Sequence, residues 1–245
     1  MVDIAPELYK EIAKEYNRRV SKDKKIISLR EKIRISSEAT QGAVVDYAQR
    51  LGEISSEVLK SKLKLVDMPN ETLYWNIAEK TISPVLTDVH KKVNREALLQ
   101  MRNADKAMEL ELGIARGFNP VNRIKDILNF ATNSRTQEEL DNALTDPVIS
   151  TARKFFDDFL RVNAEIRSGL GFNTVVVREY DGVGLHDRKT PCEWCISREG
   201  TWDYAEAKAM GVFERHPGCG CSIEVRFPGR VDIQTDWRTN TWTSI

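Results

Sequence analysis

Outside one short stretch this chain has no cysteine, and across its 245 residues it has only three histidines. With so few imidazoles, no serine–histidine–aspartate order is legible. The 13 glycines are scattered, and none stands in the GxxxxGK pattern that cradles a phosphate. Charge of one sign is also missing. The 37 basic residues meet 37 acidic ones, which argues against a surface built throughout to hold nucleic acid or anionic membrane. No apolar run approaches the roughly 20 residues that a membrane-crossing helix needs. The first residues, MVDIAPELYKEI, lack the basic-then-apolar order of a secretory leader, so a reducing cytoplasm is the expected site of folding. Internal repeats and low-complexity segments are absent too. What remains, 41% hydrophobic and 30% charged, is ordinary folded-protein composition and excludes a disordered or fibrous chain.

All four cysteines, Cys192, Cys195, Cys219 and Cys221, lie between Lys189 and Glu224, together with His216. The order is Cys192-x2-Cys195, an insert, then His216-x2-Cys219-x-Cys221. Each such turn bends two donor atoms toward one point, and two turns supply the four N/S ligands of a tetrahedral zinc site. Five donors compete for four places. The set Cys192, Cys195, His216 and Cys219 repeats the two-residue gap on both sides and is slightly preferred. Cys221, on the same face as Cys219, can replace either Cys219 or His216. A pair of disulfides is the alternative that spacing leaves open, although clustered thiols in a reducing compartment hold metal more often.

The first 170 residues read as helix. Leu8, Ile12, Tyr16 and Val20 recur every four residues, and Ile26, Leu29, Ile33, Val44, Tyr47, Leu51, Ile54 and Val58 continue the stripe. Gly42 is the one candidate break. After Pro69 and a capping Asn70 comes a second set from Trp75 to Met101, with Pro84 starting or kinking a helix and His90 a packed or surface helix residue within it. Short helices follow at 121–130 and after Thr136, where Thr136 and Glu139 match the capping-box pattern. Asp146-Pro147 opens another helix, whose Phe155, Phe156, Phe159, Leu160 and Ile166 are expected to face the core until Gly169 and Gly171 stop it. At Asn173 the period changes. Thr174–Tyr180 reads as a strand before an Asp181-Gly182 turn, and Ser222–Phe227 as a strand ended by Pro228-Gly229. Asp203–Met210 reads as a short helix linking the two cysteine turns.

The expected fold is α+β. A mainly α-helical body spans residues 1–172, with long helices over 5–65 and a bundle over 70–170. A small mixed α/β lobe, stabilised by zinc, spans 173–230, and a tail with Trp242, extended for docking or loosely packed, spans 231–245. A lobe of that size has little apolar core, and structural zinc can contribute on the order of 10–16 kcal/mol, so a structural role for Zn2+ is physically sufficient. A basic run from Arg18 to Arg34 is a candidate electrostatic contact through Arg18, Arg19, Lys22, Lys24 and Lys25, set against the plainer reading of a solvated helix face.

Catalytic readings fare worse. Pro191-Cys192-Glu193-Trp194-Cys195 fits half of the zinc-deaminase signature, but neither His90 nor His186 begins the His-x-Glu that supplies its acid/base. A zinc-assisted nuclease using His186 or Asp187 is the enzyme alternative, although no second carboxylate set marks it.

The pattern Asp187-Arg188-Lys189-Thr190-Pro191-Cys192-Glu193-Trp194-Cys195, a short helical linker, then His216-Pro217-Gly218-Cys219-Gly220-Cys221 resembles the C-terminal module of tailed-phage minor head proteins. These form the head-morphogenesis family similar to the minor head protein F of phage Mu. The resemblance covers roughly residues 175–227; the helical part matches only in general character. Gly220 stands where the family often has arginine. The resemblance implies a non-enzymatic bacteriophage virion protein. It would be made in the host cytoplasm and placed in few copies in the capsid interior or at the portal vertex. There it would bind portal protein or major capsid protein and, non-specifically, packaged phage DNA.

Overall fold

The computed structural model describes residues 3–35, 41–110, 112–117, 119–180, 192–230, 233–236 and 241–244. Long helices followed by a small antiparallel sheet make up the chain, as the sequence patterning predicts. Residue contacts divide it into two units. One is Met1–Phe156 with Arg215–Gly218; the other is Asp157–Glu214 with Cys219–Ile245.

The helical unit begins with α1 (Ala5–Lys22), α2 (Lys24–Ile35), α3 (Gln41–Lys62) and α4 (Trp75–Ala107). It continues through α5 (Val121–Thr132), α6 (Gln137–Ala143) and the first half of α7 (Asp146–Gly169). Four-residue spacing on α1 puts Ile12, Tyr16 and Val20 on one face, and all three are buried. Helix α3 packs on α1, α2 and α4, and its Val44, Leu51, Ile54 and Val58 are buried to match. At Gly52 the helices meet backbone to backbone. A Cβ there would sit 2.9 Å from the Cα of Ile149 on α7, closer than any side chain allows.

Several local expectations are corrected. One break, at Asp23, was not expected; Gly42 is the second residue of α3, just after residues 36–40, which separate it from α2 and lie outside the described residues. Asp23 ends α1 in an extended conformation, and its Oδ1 accepts the N–H of Ile26 at 2.9 Å, capping the next helix. Asn70 caps nothing: it takes a left-handed conformation (φ 52°) within a 3-10 turn, and α4 starts after Tyr74. Pro84 does not start a helix: it stands inside α4. The capping box is present as read, with the Thr136 hydroxyl accepting the N–H of Glu139 and the Glu139 carboxylate accepting the N–H of Thr136.

The second unit takes the rest of α7, then β1 (Phe172–Glu179), α8 (Glu193–Ile196), β2 (Gly200–Asp203), α9 (Tyr204–Ala209) and β3 (Ser222–Arg230). The sheet is antiparallel with order β2-β1-β3, so β1 is central. Asp203 caps α9 by accepting the N–H of Glu206 at 2.8 Å. Strand β3 does not stop at Pro228-Gly229 but pairs on to Arg230. It lies at the sheet's edge, where a residue without an N–H costs no ladder bond on the open side. Ile166 is 38% exposed and does not face the core. The buried stripe of α7 instead continues from Phe159 and Leu160 through Asn163, Ala164 and Arg167, and the Arg167 guanidinium lies 4.5 Å over the ring of Phe227. In the tail, β4 (Ile233–Asp236) pairs antiparallel with β5 (Thr241–Ser244). The Asp181-Gly182 turn lies outside the described residues.

Candidate metal centre

The first cysteine turn is built on one turn of helix. Cys192 precedes α8, and its carbonyl accepts the N–H of Ile196 at 3.0 Å. Cys192 and Cys195, three apart on that turn, therefore face the same way. The second turn depends on Gly218, which takes φ +76°, a conformation that strains residues with a side chain. A Cβ there would also come 3.2 Å from the Asp146 carboxylate. Beyond it Cys219 and Cys221 lead into β3, and both are buried.

These turns bring the sulfurs together. Cys195, Cys219 and Cys221 are 3%, 1% and 1% exposed and form a small buried cluster, with Cys192, Trp194 and Tyr180 packed against it. Their donor atoms lie within 4.8 Å of one another, as do those of Cys192, Cys195 and His216. Cys195 is common to both groups. All five expected donors are thus placed where a metal ion could be held, and Cys221, left out of the preferred set of four, is among the most buried.

None of the four cysteines is joined in a disulfide. The Cys195 and Cys219 sulfurs are 3.8 Å apart, far beyond a disulfide bond of about 2.05 Å. Sulfurs bound at about 2.3 Å to a tetrahedral ion stand about 3.8 Å from one another, so the spacing fits a shared metal. At His216, Nδ1 lies 2.7 Å from the carbonyl oxygen of Pro217. A carbonyl only accepts, so that bond fixes the proton on Nδ1 and leaves the lone pair on Nε2, the arrangement usual for a ligating histidine.

Without a cation, Cys195 and Cys221 hold their protons. Burial first, and then the neighbouring Cys219, push Cys195 up to about 11. Cys221 is raised too, chiefly by its hydrogen bond with Cys219 and then by burial. Packed sulfurs cannot all ionise unless something positive joins them.

One residue that meets the cluster was missed in the sequence. Arg178 on β1 is fully buried. Its Nη1 donates to the carbonyl oxygens of Val212 and Glu214 at 2.5 and 2.7 Å. Its Nη2 lies 3.4 Å from the Cys219 sulfur and 4.0 Å from that of Cys195. The Trp194 ring lies 5.0 Å from the Arg178 guanidinium carbon and 4.0 Å from that of Arg198. Parity was the available signal: Phe172, Thr174 and Val176 are buried on the same face of β1, and Arg178 is next in the series.

The basic run is partly spent within the helical unit. Arg18 and Arg19 both pair with Glu15 at 2.7 Å, Arg19 also with Glu57 at 2.9 Å, and Arg30 with the buried Glu96 at 3.1 Å. Lys22, Lys24 and Lys25 make no ion pair with a described carboxylate. His90 packs edge-on against Phe155 at 4.9 Å and bonds Asn94 at 2.8 Å, a packed helix residue as expected. His186 and Asp187, the enzyme candidates, lie outside the described residues. Among the described residues no helix is long and apolar enough to cross a membrane. Compared with family models, curated proteins and solved structures, the chain finds no match.

Proposed function

We propose that this protein is a structural, non-enzymatic minor head protein of a tailed phage. In this reading a zinc ion clasps the carboxy-terminal lobe, which docks on portal or major capsid protein. The observation that carries the metal part is the 3.8 Å between two buried sulfurs that no disulfide joins, the spacing of two ligands on one zinc ion. Cys195, Cys219 and Cys221 supply three thiolates, and Cys192 or His216 closes the shell. Burial of the three sulfurs to 3% exposure or less supports a closed structural site, because hydrolytic zinc keeps a position open to water. The phage part rests on the Cys192-x2-Cys195 and His216-Pro217-x-Cys219-x-Cys221 pattern and its likeness to the head-morphogenesis module. Long helices that offer extended surface are consistent with a part that bridges larger proteins. Contact with packaged DNA would fall to Lys22, Lys24 and Lys25, which pair with no described carboxylate.

Elemental analysis of purified protein tests the centre. One zinc per chain is expected, lost in Cys195→Ser, and loss in only one of Cys192→Ser and His216→Ala identifies the fourth ligand. Co-purification with portal or coat protein tests the docking. A metal-bound water, together with DNA cleavage that His186→Ala abolishes, would replace this reading with the nuclease.

A further inference from the structure

The buried guanidinium of Arg178 is a charge that the helical and strand patterning does not explain. A cation taken out of water costs several kcal/mol unless something negative receives it. Among the described residues no carboxylate pairs with Arg178. Its Nη1 is satisfied by two carbonyls, and its Nε has no partner. What its Nη2 meets is sulfur: Cys219 at 3.4 Å and Cys195 at 4.0 Å. Neutral thiols are weak acceptors and would leave that charge uncompensated. Three thiolates around a dication carry net negative charge, whichever residue takes the fourth place.

Resting on the metal reading above, we infer that Arg178 is the positioning residue and built-in counter-cation of the centre, neutralising the metal–thiolate shell through an N–H···S bond to Cys219. Its fork does two things at once. One nitrogen holds the carbonyls of Val212 and Glu214, which lead into the second cysteine turn. The other nitrogen lies against one sulfur from each turn. Central strand β1 thereby fixes where the two turns meet. Outer-shell partners of this kind typically change metal affinity by about 10–100-fold when removed. An N–H bond to a thiolate also lowers the sulfur's donor strength, which a spectrum can read and a purely structural contact would not move.

The test uses the full chain loaded with Co2+, whose sulfur-to-metal charge-transfer band reports on the thiolates, and competition with a chelator for Zn2+ affinity. Arg178→Gln is expected to lose about 10–100-fold in affinity and to move the band to lower energy. Arg198→Lys, which alters a cation on the same Trp194 ring but none near a sulfur, is expected to leave both in place. Should Arg178→Gln not fold, Arg178→Lys serves: it keeps the charge without the fork, and the band is expected to shift with a smaller loss of affinity. Wild-type affinity and an unmoved band in the folded Arg178 variant would overturn the counter-cation role while leaving the metal centre standing. An equal shift in Arg198→Lys would overturn it as well. Wild-type protein that takes up no metal would remove the centre and the role together.

Discussion

The helical unit and the lobe solve the same problem with different materials. On α1, α3 and α4 the positions that face inward are filled mainly by Ile, Leu, Val and Tyr, spaced so that one stripe meets the next. In the lobe, three thiols and two arginines, Arg167 and Arg178, share the interior with Val176, Val212, Phe213, Ile223 and Val225. Aliphatic burial is non-directional and tolerates error. A thiol cluster beside a guanidinium holds only when every partner is present and correctly charged. Hence the helical unit is expected to degrade gradually under mutation, and the lobe to fail as a whole.

Metal removal gives the largest expected effect and the sharpest form of this contrast. Structural zinc contributes on the order of 10–16 kcal/mol in small metal-dependent folds, more than a lobe of this size can replace by apolar burial. Chelation should therefore abolish amide-exchange protection in β1 and β3 while α3 and α4 keep theirs. Equal loss in both regions would dissolve the distinction. The converse experiment is smaller. Leu86 on α4 is fully buried, and Leu86→Ala is expected to cost about 2–5 kcal/mol, read as a lowered denaturation midpoint with metal content unchanged. If bound metal fell with it, the two regions would not be separable.

Smallest of all is a surface effect that touches the helical unit alone. Arg18, then Arg19, hold the Glu15 carboxyl down to about 2 from an ordinary 4.5. A depressed carboxyl adds stability that is present above its unfolded value and lost as pH falls through the folded one. Wild type should therefore melt higher than Glu15→Gln at pH 6, with the gap closing between pH 4.5 and 2. A gap that stayed constant across that range would place the effect in packing and not in the ion pair.

What the sequence disclosed follows the same division. Regular apolar spacing located the helices, and Thr136 with Glu139 marked a helix start, because these signals are local. Asp23 was overlooked as a break although aspartate is a strong capping residue; the unbroken apolar stripe on either side masked it. Ile166 was assigned to the core because it is apolar, while the true inward positions carry Asn163 and Arg167. Arg178 was passed over for the matching reason, since its partners lie 17 to 41 residues away in the chain. Composition rules anticipate oil inside and charge outside, and the lobe departs from them where its chemistry lies. The five donors were visible because their spacing is short; their relation to an arginine across the sheet was not.

The order of strands along the chain has a temporal consequence. Synthesis delivers β1 first, then the turn bearing Cys195, and only later Cys219, 24 residues further on. Until then the central strand can pair only with β2, and its guanidinium has not met Cys219. Capture of an ion by the late sulfurs would close a short loop, whose entropic toll grows only slowly with length. That event can precede pairing of β3 with β1, so the nascent lobe would be guided shut by its inorganic part.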